Sequence, residues 1–65
     1  MQITLNGEPV ETAARTLREL IVSQGLEPDA IVAEVNFALI KREQWQQHVL
    51  KDGDSVELLS FVGGG

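Results

Sequence analysis

The sequence predicts an α+β fold: a mixed sheet of four to five strands with one main helix packed across one face. Three observations in the 65 residues point there. The chain opens on strict apolar–polar alternation that runs into Asn-Gly. Its middle holds one short amphipathic stripe behind a helix cap. Its second half carries two β-branched-rich runs separated by turn residues.

Met1-Gln2-Ile3-Thr4-Leu5-Asn6 puts Met1, Ile3 and Leu5 on one face and the polar residues on the other, the pattern of a half-buried strand. Asn6-Gly7 supplies the two positive-φ residues of a type I′ turn. Glu8 to Thr12 is the returning strand, and Pro9, which has no N–H to donate, puts it on an edge of the sheet. Thr16-Leu17-Arg18-Glu19 has the form of a capping box: the Thr16 hydroxyl accepts from the Glu19 N–H while the Glu19 carboxylate reaches back to the Thr16 N–H. Leu17, Leu20 and Ile21 follow at i, i+3 and i+4, the stripe of a helix lying on a sheet. Gly25 suits the left-handed residue that ends a helix, with Leu26 placed to touch Ile21, so the helix spans about Leu17 to Gln24. Glu27-Pro28-Asp29 is a loop.

Ile31 to Phe37 reads as a strand with Ile31, Ala33 and Val35 on one face, and Ala38-Leu39-Ile40 as a brief further strand. Arg42 to His48 has helix-forming composition but is too short for more than a single turn. Lys51-Asp52-Gly53-Asp54 is a turn with Gly53 at its positive-φ position, and Ser55 to Val62 is the last strand. The first and last strands are expected side by side and parallel at the sheet centre, joined by a right-handed crossover. Residues 1–62 then make one domain, and 63–65 a flexible tail of three glycines. This order is that of the ubiquitin-like β-grasp.

Composition narrows the function. The length allows one domain, and 43% apolar residues provide one small core. With no Cys there is no disulfide, no thiolate nucleophile and no Cys-based metal site; one His and no Tyr leave little for acid–base catalysis, so an enzyme is not expected. Ten acidic against five basic residues give a net charge of −5, which argues against nucleic acid, whose phosphates need clustered Lys and Arg, and helps steer the domain onto basic partners. No apolar run approaches membrane-spanning length, and the first residues lack the layout of a signal peptide. A soluble cytoplasmic protein, monomeric when free, is the expectation.

Few side chains suggest a site. Asp52-Gly53-Asp54 lacks the further oxygen ligands that Ca²⁺ or Mg²⁺ needs and reads as a hairpin turn. His48 has no partner motif and reads as a surface residue. Trp45 is expected to cover one end of the core rather than to stack on bases. Leu59 and Phe61 stand apart. If Val56, Leu58 and Val62 face the helix, alternation puts Leu59 and Phe61 on the opposite face as an exposed apolar patch, a mark of a partner surface. The alternative is a bulge that turns both back into the core. Gly63-Gly64-Gly65 reads either as a frayed tail or as a slim segment made to reach into a partner's active site, since glycine lets a narrow channel close around bare backbone.

The strand Val32-Ala33-Glu34-Val35-Asn36, the segment Arg42-Glu43-Gln44-Trp45, the turn Asp52-Gly53-Asp54 and the terminal Gly64-Gly65 occur in this order after a strand that starts at residue one. In that arrangement the sequence resembles the sulfur carrier family of thiamin biosynthesis over its whole length. One departure is the third glycine, Gly63, ahead of the pair that matches the family's reactive diglycine. The resemblance implies that the reactive atom is the carboxyl carbon of Gly65, with Gly64 and Gly63 needed to reach the partner's active site. It implies an adenylyltransferase of the ubiquitin-activating type that consumes ATP to form an acyl adenylate. It further implies a sulfur donor such as a cysteine desulfurase, whose sulfur displaces AMP to leave a thiocarboxylate, and a thiazole synthase that takes the sulfur up. No cofactor or metal is expected to be bound. Two other readings compete: the small subunit of molybdopterin synthase, a diglycine carrier on the same fold whose chains usually run longer, and a β-grasp interaction or modifier domain without sulfur chemistry.

Overall fold

The computed structural model describes residues 1–61, so the expectations for Val62 and the three glycines lie outside the described residues. Five strands form one sheet: β1 (Gln2–Leu5), β2 (Glu8–Glu11), β3 (Ile31–Val35), β4 (Ala38–Ile40) and β5 (Ser55–Ser60), in the spatial order β2-β1-β5-β3-β4. β5 is the central strand. It runs parallel to β1 (Thr4 opposite Ser55, Leu5 opposite Val56) and antiparallel to β3 (Ile31 opposite Ser60 through Val35 opposite Val56). Pro9 lies on β2, an edge strand, as its missing donor requires.

One helix, α1 (Leu17–Ser23), crosses the sheet. Its capping box is complete: the Glu19 N–H donates to Thr16 Oγ1 at 3.2 Å, and Glu19 Oε1 accepts from the Thr16 N–H at 3.4 Å and from the Arg15 N–H at 2.7 Å. Gln24 is the C-cap and Gly25 (φ +72°) turns the chain away, its N–H donating to Val22 O at 3.0 Å. A seven-residue helix is too short to hold itself in water, so it is secured by the buried stripe of Leu17, Leu20 and Ile21. These side chains pack with Ile3, Ile31, Ala33, Val35, Val56 and Leu58 from the inner face of the sheet. Each fully buried Leu or Ile contributes about 1.5–3 kcal/mol of transfer free energy.

The stretch between β4 and β5 closes the helix end of this core. Arg42–Gln44 forms a single 3-10 turn, and Trp45 behind it is almost wholly buried, its indole N–H donating to Ile40 O at 2.9 Å. Main-chain bonds from Leu17 N to His48 O and from Leu50 N to Arg15 O strap this stretch across the start of α1.

Several element boundaries differ from the sequence reading: β2 ends at Glu11, α1 at Ser23 with Gln24 as its cap, and β5 at Ser60, so Phe61 follows the last strand and does not lie within it. Pro28–Ala30 makes a short 3-10 turn within the expected loop. β3 stops at Val35, because Asn36 (φ +51°) and Phe37 (φ +71°) form the turn that leads into β4. Phe37 is therefore a turn residue and not the end of a strand.

Candidate functional site

The outer face of the sheet, turned away from α1, carries Leu59 and Phe61, the two residues that the sequence singles out. Along β5 the side chains alternate: Val56 and Leu58 are buried against the helix, while Glu57 and Leu59 are exposed. Leu59 is 56% exposed and Phe61 47%. The strand keeps regular register with β3 through Ser60, and the Phe61 N–H donates to Ala30 O at 2.9 Å. No bulge turns Leu59 or Phe61 back into the core.

Their neighbours follow from the register. Val32 of β3 lies directly opposite Leu59, and Leu39 of β4 lies opposite Glu34 of β3 on the same outward face. Leu39 is 62% exposed. An apolar strip therefore crosses three strands, with Leu39, Val32, Leu59 and Phe61 along it. The sequence reading found Leu59 and Phe61 but missed Leu39 and Val32. The signal for Leu39 was its place between Ala38 and Ile40, whose alternation in a short strand sends it outward.

Two asparagines hold the start of β5 in place. Asn6 Oδ1 accepts from the Leu58 N–H at 2.8 Å, and Asn36 Oδ1 accepts from the Ser55 N–H at 3.0 Å. Asn36 also donates through Nδ2 to Asp54 Oδ1 at 3.1 Å, and Asp54 Oδ2 accepts from the Lys51 N–H at 2.9 Å. Asp52 Oδ1 accepts from the Gln2 N–H at 2.8 Å. Both aspartates of the Asp-Gly-Asp turn are thus engaged in fastening β1 and β5. Among the described residues no three His, Asp or Glu side chains converge as a metal site would require.

Nothing on the helix side gathers comparable chemistry. A shallow cleft of about 520 Å³ lies beside α1, lined in part by Thr16 and Glu19, which already serve the cap. No polar or charged side chain is buried among the described residues. His48, half-buried, contributes its backbone carbonyl to Leu17. Among the described residues, no helix is long and apolar enough to cross a membrane. Gly63, Gly64 and Gly65 follow two residues after Phe61, so in sequence the apolar strip stands immediately ahead of them.

Comparison with known proteins gives a consistent set of likenesses. The ThiS family profile matches residues 3–65. The chain is 33% identical over 66 residues to the sulfur carrier protein ThiS of Escherichia coli, covering all of both chains. It is 38% identical over 66 residues to a thiazole synthase of Magnetococcus marinus, where it spans all of its own length but 20% of that protein. The crystal structure of the thiamine biosynthesis protein ThiS from Geobacter metallireducens superposes with a TM-score of 0.85 at 32% identity, with full coverage of both chains.

Proposed function

The chain belongs to the ThiS family, and from that premise we propose that it is a sulfur carrier of thiamin biosynthesis whose working atom is the carboxyl carbon of Gly65. The observation that carries this reading is the reach of the family match, which runs through residue 65 and so includes Gly64 and Gly65. The full-length likeness to a sulfur carrier favours the thiamin pathway over the molybdopterin reading.

In this reading the protein is a co-substrate and not an enzyme. A carboxylate is a poor electrophile. An oxygen of the Gly65 carboxylate attacks the α-phosphate of ATP in a ubiquitin-activating-type adenylyltransferase, pyrophosphate leaves, and the acyl adenylate now carries AMP as a good leaving group. The persulfide of a sulfur donor such as a cysteine desulfurase attacks the Gly65 carbonyl carbon and expels AMP. A thiol then reduces the S–S bond of the resulting acyl disulfide, freeing the donor and leaving a thiocarboxylate at Gly65. A thiazole synthase accepts that sulfur, and an oxygen from water or from its own substrate takes the sulfur's place on the Gly65 carbonyl carbon, restoring the carboxylate. The thiazole synthase relative that contains a segment similar to this chain supports that partnership. With no Cys and only Lys41 and Lys51 as side-chain amines, both mostly protonated at neutral pH, the chain offers its own activated end few competing side-chain nucleophiles.

The apolar strip around Leu59 and Phe61 serves as the docking face, and Gly63, Gly64 and Gly65 thread from it into the partner's active site. Glycine at 64 leaves room for a channel to close on the backbone. Deleting Gly65 withdraws the reactive carbon by one residue, about 3.5 Å, where even ~1 Å of misplacement can cost about 100-fold in rate. Pyrophosphate release with the cognate adenylyltransferase tests this. The Gly65 deletion and Gly64→Val should both abolish it while leaving stability within about 0.5 kcal/mol, as for exposed sites generally. His48→Ala should leave it nearly unchanged. Normal turnover of the Gly65 deletion would overturn the carrier reading in favour of a simple interaction domain.

A further inference from the structure

Glu34 and Glu57 face each other directly across the β3–β5 ladder, on the outer face of the sheet. Like charges in that relation oppose folding. Among the described residues the ion pairs are those of Met1 with Glu11 and of Arg42 with Asp29, so neither carboxylate has a cation within 4 Å there. The next pair along the same ladder is Val32 opposite Leu59, and Leu39 stands opposite Glu34 on its other side. Two features that do nothing for the isolated domain, an uncompensated carboxylate pair and exposed apolar side chains, therefore share one surface.

A single kind of contact relieves both. We infer that Glu34 and Glu57 form an acidic socket for an arginine of the adenylating partner, flanked on that partner by apolar side chains that cover Leu39, Val32 and Leu59. The planar guanidinium presents five N–H donors in a fixed fork and can bridge two carboxylates, which a lysine ammonium does less well. A second copy of this chain is a poor occupant, because each copy carries a net charge of −5. Continuity points to the adenylating enzyme: β5, which bears Glu57 and Leu59, leads directly in sequence to the residue that enzyme is proposed to activate. The inference rests on the carrier reading above and adds the chemistry of its docking face.

The test is calorimetric binding to the cognate adenylyltransferase. Glu34→Gln and Glu57→Gln should each weaken binding about tenfold, the scale of one charge-assisted hydrogen bond, and the double variant should weaken it further. Glu43→Gln removes the same charge from an exposed position outside the sheet and should change affinity less than twofold. Thermal unfolding should show the Gln variants at least as stable as the parent chain, since a repulsion has been removed, so lost binding would not reflect lost structure. Equal weakening by Glu43→Gln would overturn the socket in favour of general electrostatic steering. Unchanged binding by the double variant would overturn it too. In that case, weak binding by Leu59→Ala would leave the docking face standing. Failure of the parent chain to form an acyl adenylate would instead contradict the carrier reading and the socket together.

Discussion

β5 shows two faces to two environments, and comparing them separates what folds the protein from what it presents. Val56 and Leu58 point toward α1 and are buried; Glu57 and Leu59, one residue away from each, point outward and are exposed. Every strand contributes apolar side chains to the inner face, as a core demands. The outer face mixes leucines, a phenylalanine and two apposed glutamates, a composition that packing within the domain does not call for. The same strand thus carries the fold on one side and an exposed, partly apolar surface on the other, the face proposed above for docking.

Substitutions can break that comparison at graded cost. The largest effect is expected from Leu58→Ala on the inner face, a loss of about 2–5 kcal/mol, against roughly 3–10 kcal/mol for a whole domain of this size. Denaturant titration should show a much earlier midpoint, and a small shift would mean that the inner face is loosely packed. Next comes Asn36→Ala, which removes the bonds to the Ser55 N–H and to Asp54 and leaves a left-handed backbone to an ill-suited residue. A loss of about 1–2 kcal/mol is expected. Phe37→Gly should act in the opposite direction, stabilising by up to about 1 kcal/mol, because Phe37 adopts φ +71° while 84% of it is exposed. Thermal melts of these two variants should move apart. The smallest effect on stability belongs to Phe61→Asp on the outer face, within about 0.5 kcal/mol, together with weakened binding to the adenylyltransferase. Loss of the folded circular dichroism spectrum would show that the outer face is part of the core after all.

The two hairpins explain what could be read from the sequence. Both turn through asparagine at φ +51°, and both asparagines accept a hydrogen bond from β5. The first turn was legible because Asn6 is followed by Gly7 (φ +85°), a residue that accepts positive φ without strain. The second was not, because Phe37 stands where glycine is expected, so the apolar run from Ile31 onward read as one unbroken strand. Its turn is fixed by tertiary bonds from Asn36 to Ser55 and Asp54, nineteen and eighteen residues away, which no local pattern reveals. The capping box, the edge position of Pro9 and the parallel central strands depend on local chemistry or simple topology, and each was legible. Alternation offered the outward positions of Leu59 and Phe61 but left a bulge into the core open, and the unbroken register with β3 decides between them. Val32, Leu39 and the Glu34–Glu57 pair joined that face only once the strand register was known.

The central claim is that the chain works through the carboxyl group of Gly65. Intact mass spectrometry of the protein incubated with ATP, its adenylyltransferase and a sulfur donor tests that claim directly. The account predicts the mass gain of one oxygen replaced by sulfur, mapped to the peptide that ends in Gly65, abolished by deleting Gly65 and reversed by hydrolysis. An unchanged mass under conditions where the partner enzyme is active, or a sulfur found on any other residue, would contradict it.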